Sequence, residues 1–70
     1  MNQHETLRSK VGLKAKELLA KYPSFRKGQA LMNALYAVDP ELYDRVTDTE
    51  ADCFSDDRNI NNFWARIKQG

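Results

Sequence analysis

The chain has 70 residues and a net charge of +1, with 11 Lys and Arg against 10 Asp and Glu. So short a chain forms one domain at most, and because it buries only roughly 60% of its unfolded surface, we expect marginal stability. The single cysteine excludes an internal disulfide, and no apolar signal-peptide region opens the sequence. The apolar run Ala34 to Val38 is too short to cross a bilayer. Together these features predict a soluble cytoplasmic protein without a membrane segment.

The first predicted element is an amphipathic helix from about Glu5 to Lys21, preceded by residues 1–4, which we expect to be mobile. Gly12 weakens this helix by up to ~1 kcal/mol relative to alanine, and the sequence leaves open whether the helix is continuous there. Pro23 ends the helix because it lacks an N–H donor and disfavours helical geometry in the residue before it. The predicted apolar face has helical spacing: Leu7, Val11, Ala15, Leu18, Leu19 and Tyr22.

Helix 2 is predicted from Phe25 to about Ala37, with Ser24 as its N-cap. Gly28 and Ala30 lie in its early turns, where small side chains allow another helix to approach closely. The residues expected on or beside its buried stripe are Leu31, Met32, Ala34, Leu35 and Val38.

Helix 3 is predicted to be short, from Pro40 to about Val46. Asp39 supplies an N-cap acceptor, Pro40 suits the first helical position, and the acid that follows is favoured by the helix dipole. We expect Leu42 and Val46 to face inward, with Tyr43 at the edge of the buried face.

The last helix carries the strongest periodicity, with Ile60, Phe63, Trp64 and Ile67 at i, i+3, i+4 and i+7. We expect Asp56 or Asp57 to cap it and the helix to end at about Lys68. No segment shows the alternation typical of a strand. The predicted fold is therefore one all-α domain over residues 1–70, a compact bundle of three main helices plus one short helix.

Between helices 3 and 4 lies TDTEADCFSDD, residues 47–57, here called the acidic segment. Asp48, Glu50 and Asp52 alternate like the first ligands of an EF-hand loop. However, Cys53 stands where that loop needs glycine, and Asn59 stands where it needs a bidentate glutamate. We therefore expect no calcium site.

Other cofactors and catalysis are disfavoured by the same kind of argument. His4 and Cys53, each the only residue of its kind, cannot form a closed zinc site, and nothing in the sequence brings them together as a catalytic pair. The sequence has no glycine-rich phosphate loop, and so small a domain has little room for a pocket that desolvates a substrate. We predict a protein that is not an enzyme and has no metal or other cofactor. Cys53 is expected to be a small, partly buried apolar residue beside Phe54.

Charge is divided between the two halves of the chain, with net +5 over residues 1–31 and −4 over residues 32–70. This division is typical of two halves that attract each other, within one molecule or across a homodimer, and also of a basic ligand-facing half. The second interpretation gives an alternative function, DNA binding, although Asp56 and Asp57 lie at the end that a recognition helix would present to the groove. The basic residues of this alternative are Lys10, Lys14, Arg26, Lys27 and Arg66.

Three motifs follow one another along the chain: KGQA..NAL over residues 27–35, PEL over residues 40–42, and TE.D.F.DD over residues 49–57. The span that contains them, from Phe25 to Ile67, resembles small uncharacterised proteins encoded by bacteriophages and prophages. Such proteins favour glycine and proline where this chain has Asp48 and Cys53, which implies a looser turn here. The resemblance implies a phage origin and a single fold, and no mechanism.

These motifs also prompt a structural hypothesis, a clasp of polar contacts between helix 2 and the acidic segment. In this clasp, Lys27 pairs with Glu50 or Asp52, and Asn33 hydrogen-bonds the backbone of the segment, with Asp57 also in reach. Such a clasp would fix the segment without glycine or proline and satisfy its backbone groups.

Together these features predict a non-enzymatic, phage-type accessory protein that acts in the bacterial cytoplasm by binding another protein, for example a host factor. Self-association is left open, and nucleic acid is the less favoured partner. Most aromatic residues are expected in the core, with Tyr43 and Phe54 exposed as anchors for a partner. The predicted contact surface consists of Tyr43, Asp48, Glu50, Asp52 and Phe54.

Overall fold

The computed structural model describes residues 7–68, which form four α-helices and no strand. The helices are α1 (Leu7–Lys21), α2 (Lys27–Val38), α3 (Pro40–Val46) and α4 (Ile60–Lys68), and a 3₁₀ turn (Asp57–Asn59) precedes α4. These elements confirm the predicted compact all-α bundle. The predicted start of helix 1 at Glu5 and the predicted mobility of residues 1–4 lie outside the described residues.

Helix α1 ends at Lys21, as predicted, and it is continuous through Gly12, a point that the sequence left open. It packs mainly against α2 and buries Val11 and Ala15. Tyr22 is not part of the buried face, since it is 44% exposed. Its ring lies just beyond the helix and stacks on Phe25 with the centroids 4.9 Å apart.

Helix α2 begins at Lys27, later than predicted, and Ser24 is not its N-cap. The backbone N–H of Phe25 donates to the carbonyl of Tyr22 at 2.9 Å, which holds the intervening residues in a turn. Arg26 takes the N-cap position with an extended backbone, and its N–H donates to Oε1 of Gln29 at 3.4 Å. The turn after α1 therefore delays the start of α2.

The capping of the later helices follows the prediction in large part. Oδ1 of Asp39 accepts a hydrogen bond from the N–H of Leu42 at 3.2 Å and caps α3. Oδ1 of Asp56 accepts from the N–H of Arg58 at 3.0 Å, at the start of the 3₁₀ turn that leads into α4. Because Asp56 provides this cap, the neighbouring Asp57 is available for another contact.

The core is built from all four helices and from the acidic segment. Ala51 and Cys53 of that segment are buried, so Cys53 lies deeper than predicted. The aromatic residues lie further out than predicted, because only Phe63 is fully buried and Tyr36 is 59% exposed. No helix within residues 7–68 has both the length and the apolar character needed to cross a bilayer. The buried core residues are Val11, Ala15, Ala30, Leu31, Met32, Ala34, Leu35, Val46, Ala51, Cys53, Phe63 and Ile67.

Candidate functional site

The acidic segment is joined to α2 at Gly28. Oδ1 of Asp57 accepts a hydrogen bond from the N–H of Gly28 at 3.1 Å, and the thiol of Cys53 donates to the carbonyl of Gly28 at 3.5 Å. A Cβ atom at position 28 would overlap the carbonyl oxygen of Cys53 and lie 2.9 Å from Oδ1 of Asp57. The small residue does allow a close approach, but the approaching element is the acidic segment and not another helix.

The predicted contacts of Lys27 and Asn33 are not formed within the described residues. Lys27 makes no ion pair there with Glu50 or Asp52, and no hydrogen bond there involves the side chain of Asn33. The reason is geometric, because each residue of an α-helix is rotated about 100° from the one before it. Since Gly28 faces the acidic segment, the residues one position before and five positions after it point in other directions.

Two other asparagines make the hydrogen bonds to the backbone of the acidic segment that were predicted for Asn33. Nδ2 of Asn59 donates to the carbonyl of Asp52 at 3.0 Å, and Nδ2 of Asn62 donates to the carbonyl of Glu50 at 3.3 Å. Asp57 does take part as predicted, although its partner is a backbone N–H of α2 and not a lysine. The segment is therefore held from both sides, by the start of α2 and by the start of α4.

Side chains of the acidic segment also fix its own backbone. Asp48 has a left-handed conformation with φ 67°, which aspartate tolerates better than most non-glycine residues. Its N–H donates to Oδ2 of Asp52 at 2.8 Å, and Oδ1 of Asp52 accepts from the N–H of Phe54 at 3.0 Å. Thr49 adds a bond from its hydroxyl to the carbonyl of Val46 at 2.6 Å. These bonds hold the turn without glycine or proline.

Two ionisable groups of the segment have shifted pKa values. Burial raises the pKa of the Cys53 thiol from its ordinary 9.0 to about 11, and the charges of Asp52 and Asp57 add to the rise. The thiol therefore keeps its proton well above neutral pH and remains a donor to the carbonyl of Gly28. The side chain of Arg58, with Nη2 3.0 Å from Oδ2 of Asp56, lowers the pKa of that exposed carboxyl below its ordinary value.

The residues predicted to meet a partner fall into two groups. Asp48 and Glu50 are exposed, and Phe54 is 41% exposed. Asp52 is occupied, because its two carboxylate oxygens accept the bonds from the flanking backbone. Tyr43 is half-buried, and its ring packs edge-to-face on Tyr36 with 5.1 Å between the centroids. The exposed ring of this pair is therefore Tyr36 and not Tyr43, which was predicted to be exposed. We call Asp48, Glu50 and Phe54 the acidic lip.

The basic residues of the DNA-binding alternative are distributed over α1, α4 and the start of α2 with its N-cap. Lys10, Arg26, Lys27 and Arg66 are exposed, whereas Nζ of Lys14 lies 3.3 Å from Oε1 of Glu17. On the last helix and the turn before it, three side chains of types that can contact base edges already have partners within the protein. These are Arg58, Asn59 and Asn62.

Sequence reasoning missed a groove between α1, α2 and α4, whose lining includes Gly12, Lys16, Lys27 and Trp64. The available signal was the combination of a glycine within a helix and the one tryptophan of the chain. Within residues 7–68, no three His, Cys, Asp or Glu side chains come together as a group that could hold a metal ion.

No protein-family model, curated protein or solved structure matches the chain.

Proposed function

We propose that the protein acts without catalysis, by binding another protein through the acidic lip. The observation that carries this proposal is the exposed side chain of Phe54 on an acidic segment whose backbone is fixed by hydrogen bonds. An aromatic side chain of this kind is a typical anchor of a protein interface. The phage-type origin and the bacterial cytoplasm belong to the same proposal and rest on the resemblance of the three motifs.

Preorganisation is the physical advantage of this surface. Asp52 holds the N–H groups of Asp48 and Phe54 with one carboxylate, so the two residues keep a fixed relation to each other. A partner does not have to order the loop when it binds, and the corresponding loss of conformational entropy is avoided.

The charge of the lip defines the partner surface that complements it. Asp48 and Glu50 are exposed and make no ion pair within the described residues. A complementary surface has an apolar pocket for the ring of Phe54 and Lys or Arg side chains around it. A bacterial host protein with such a basic-rimmed pocket is the partner that we propose.

The test is a quantitative pull-down from bacterial lysate with the double variant Glu50→Lys, Phe54→Ser. Asp52 is left unchanged because its carboxylate is structural. The matched control is Leu13→Ser, Glu17→Lys, which makes the same kinds of change on α1, where Leu13 is 59% exposed and Glu17 is exposed. We expect a specific protein to be recovered with the wild type and the control, and to fall by about tenfold or more with the lip variant. Equal recovery with all three folded proteins would rule out the lip.

A further inference from the structure

A groove opens where α1, α2 and α4 meet, with a volume of about 370 Å³. Volumes of about 300–1,000 Å³ are typical of small-molecule sites. The uncharged residues that line the groove, within the part of the chain that the structure describes, are Gly12, Ala15, Leu19, Leu31, Ile60 and Trp64.

Gly12 contributes the first argument that this space is a site. Glycine within a helix is unfavourable, so its presence needs a local reason. A Cβ atom added at Gly12 would meet Cη2 of Trp64 at 3.9 Å, which is an ordinary van der Waals distance. Close packing therefore does not require this glycine. Its effect is to leave the wall of the groove open where an alanine methyl would project toward Trp64.

Among the described residues that line the groove, the charged ones are Lys16 and Lys27, both exposed, and none is a carboxylate. Neither lysine makes an ion pair within the described residues. The guanidinium of Arg8 lies 5.1 Å from the ring centroid of Trp64 and adds a further positive charge beside that wall. An apolar interior with a positive rim complements a ligand with an apolar body and an anionic head.

We propose that the groove binds a small anionic amphiphile, a carboxylate with a flexible apolar chain of about eight to ten carbon atoms. The chain lies against Trp64 and the leucines of α1 and α2, and the carboxylate lies between the ammonium groups of Lys16 and Lys27. This site is separate from the acidic lip, so neither proposal depends on the other.

Trp64 provides the assay, because it is the only tryptophan of the chain and lines the groove. The emission of Trp64 is followed during titration with octanoate, kept below its aggregation concentration, and isothermal calorimetry gives the stoichiometry. We expect saturable one-to-one binding with a dissociation constant on the order of 0.1 to 1 mM. Octanol and octyltrimethylammonium, which have the same chain length, are expected to bind about tenfold more weakly or not at all.

Three variants locate the ligand. Gly12→Ala is expected to raise the melting temperature and to weaken octanoate binding several-fold, a combination that loss of folding cannot produce. The double variant Lys16→Met, Lys27→Met is expected to weaken octanoate binding about tenfold and to leave octanol binding unchanged. Lys10→Met, an exposed lysine of α1 outside the groove lining, is expected to behave as the wild type.

Several results would overturn the proposal. These are absence of saturable binding by both methods, equal affinity for octanoate and octanol, or unchanged octanoate affinity in Gly12→Ala. An equal loss of affinity in Lys10→Met and in the double lysine variant would show a general charge effect and overturn it too. A protein-concentration-dependent change in Trp64 emission that coincides with dimerisation would assign the groove to a second copy of the chain.

Discussion

The two glycines in the described helices lie in opposite surroundings. At Gly28, backbone atoms of the acidic segment fill the space that a side chain would need. A Cβ atom added at Gly12 would meet only the far edge of Trp64, at an ordinary van der Waals distance. One glycine makes a closed backbone contact possible, and the other leaves a groove open. Glycine in a helix can therefore mark either a dense contact or an open site, and only its neighbours distinguish the two.

The largest effect is expected for Gly28→Ala. The added methyl group collides with the carbonyl of Cys53, and a backbone atom cannot move aside as a flexible side chain can. We expect a loss of about 3 kcal/mol or more in the free energy of unfolding, or failure to fold. Urea denaturation followed by circular dichroism measures this loss. A midpoint equal to that of the wild type would show that the acidic segment does not lie on α2 as described.

The protonation of Cys53 gives the next effect, at high pH. Its pKa is raised from 9.0 to about 11 by burial, so the unfolded chain releases this proton at lower pH than the folded protein. The unfolded state therefore binds fewer protons between about pH 9 and pH 11, and stability falls by about 2 kcal/mol as the pH rises through this window. Below pH 9 the contribution of Cys53 is constant.

The measurement is the free energy of unfolding from pH 8 to pH 11 for the wild type and Cys53→Ala. The variant has lower stability throughout because it lacks the buried sulfur. The dependence of its free energy of unfolding on pH, however, reflects every titrating group other than Cys53 and therefore serves as the control. We expect the wild type to lose more stability than the variant across the window, and parallel curves would contradict a shifted thiol.

Asp57 tests the polar half of the contact at Gly28. Asp57→Ala removes the acceptor of the Gly28 N–H at the start of α2, and we expect a loss of about 1 kcal/mol. Asp57→Asn keeps an acceptor oxygen and should recover part of this loss. Asp44→Ala, an exposed acid of α3, is the matched control and should lie within about 0.5 kcal/mol of the wild type. A similar loss in both alanine variants would mean that the capping bond is unimportant.

The fold was largely accessible from sequence because periodicity and caps are local properties. The limits of α3 and the cap at Asp39 follow from adjacent residues, and the structure has both as predicted. The predicted start of α2 was wrong because the turn closed by Tyr22 and Phe25 extends beyond Ser24, the predicted N-cap. Helix propensities and capping preferences, which consider only adjacent residues, do not predict such a turn.

The site was less accessible because its contacts join distant parts of the chain. Opposite charge suggested Lys27 as the partner of the acidic segment, whereas the direction of each residue around α2 selects Gly28. Charge pattern reports which groups attract each other, and it does not report which way a side chain points. The groove was missed for a related reason, since its walls come from three helices.

The smallest expected effect is also the one that separates the two glycines most clearly, because it has the opposite sign. Gly12→Ala introduces a better helix former at a position where the methyl group fits, and we expect a gain of about 0.5 to 1 kcal/mol. For a domain of this size that gain corresponds to a rise of roughly 2 to 8 °C in melting temperature. Thermal denaturation of Gly12→Ala and Gly28→Ala side by side measures the expected gain and the expected loss of stability in one experiment. A fall in melting temperature for Gly12→Ala would mean that Trp64 packs more closely on α1 than 3.9 Å, and then the groove and the proposed ligand site would both be absent.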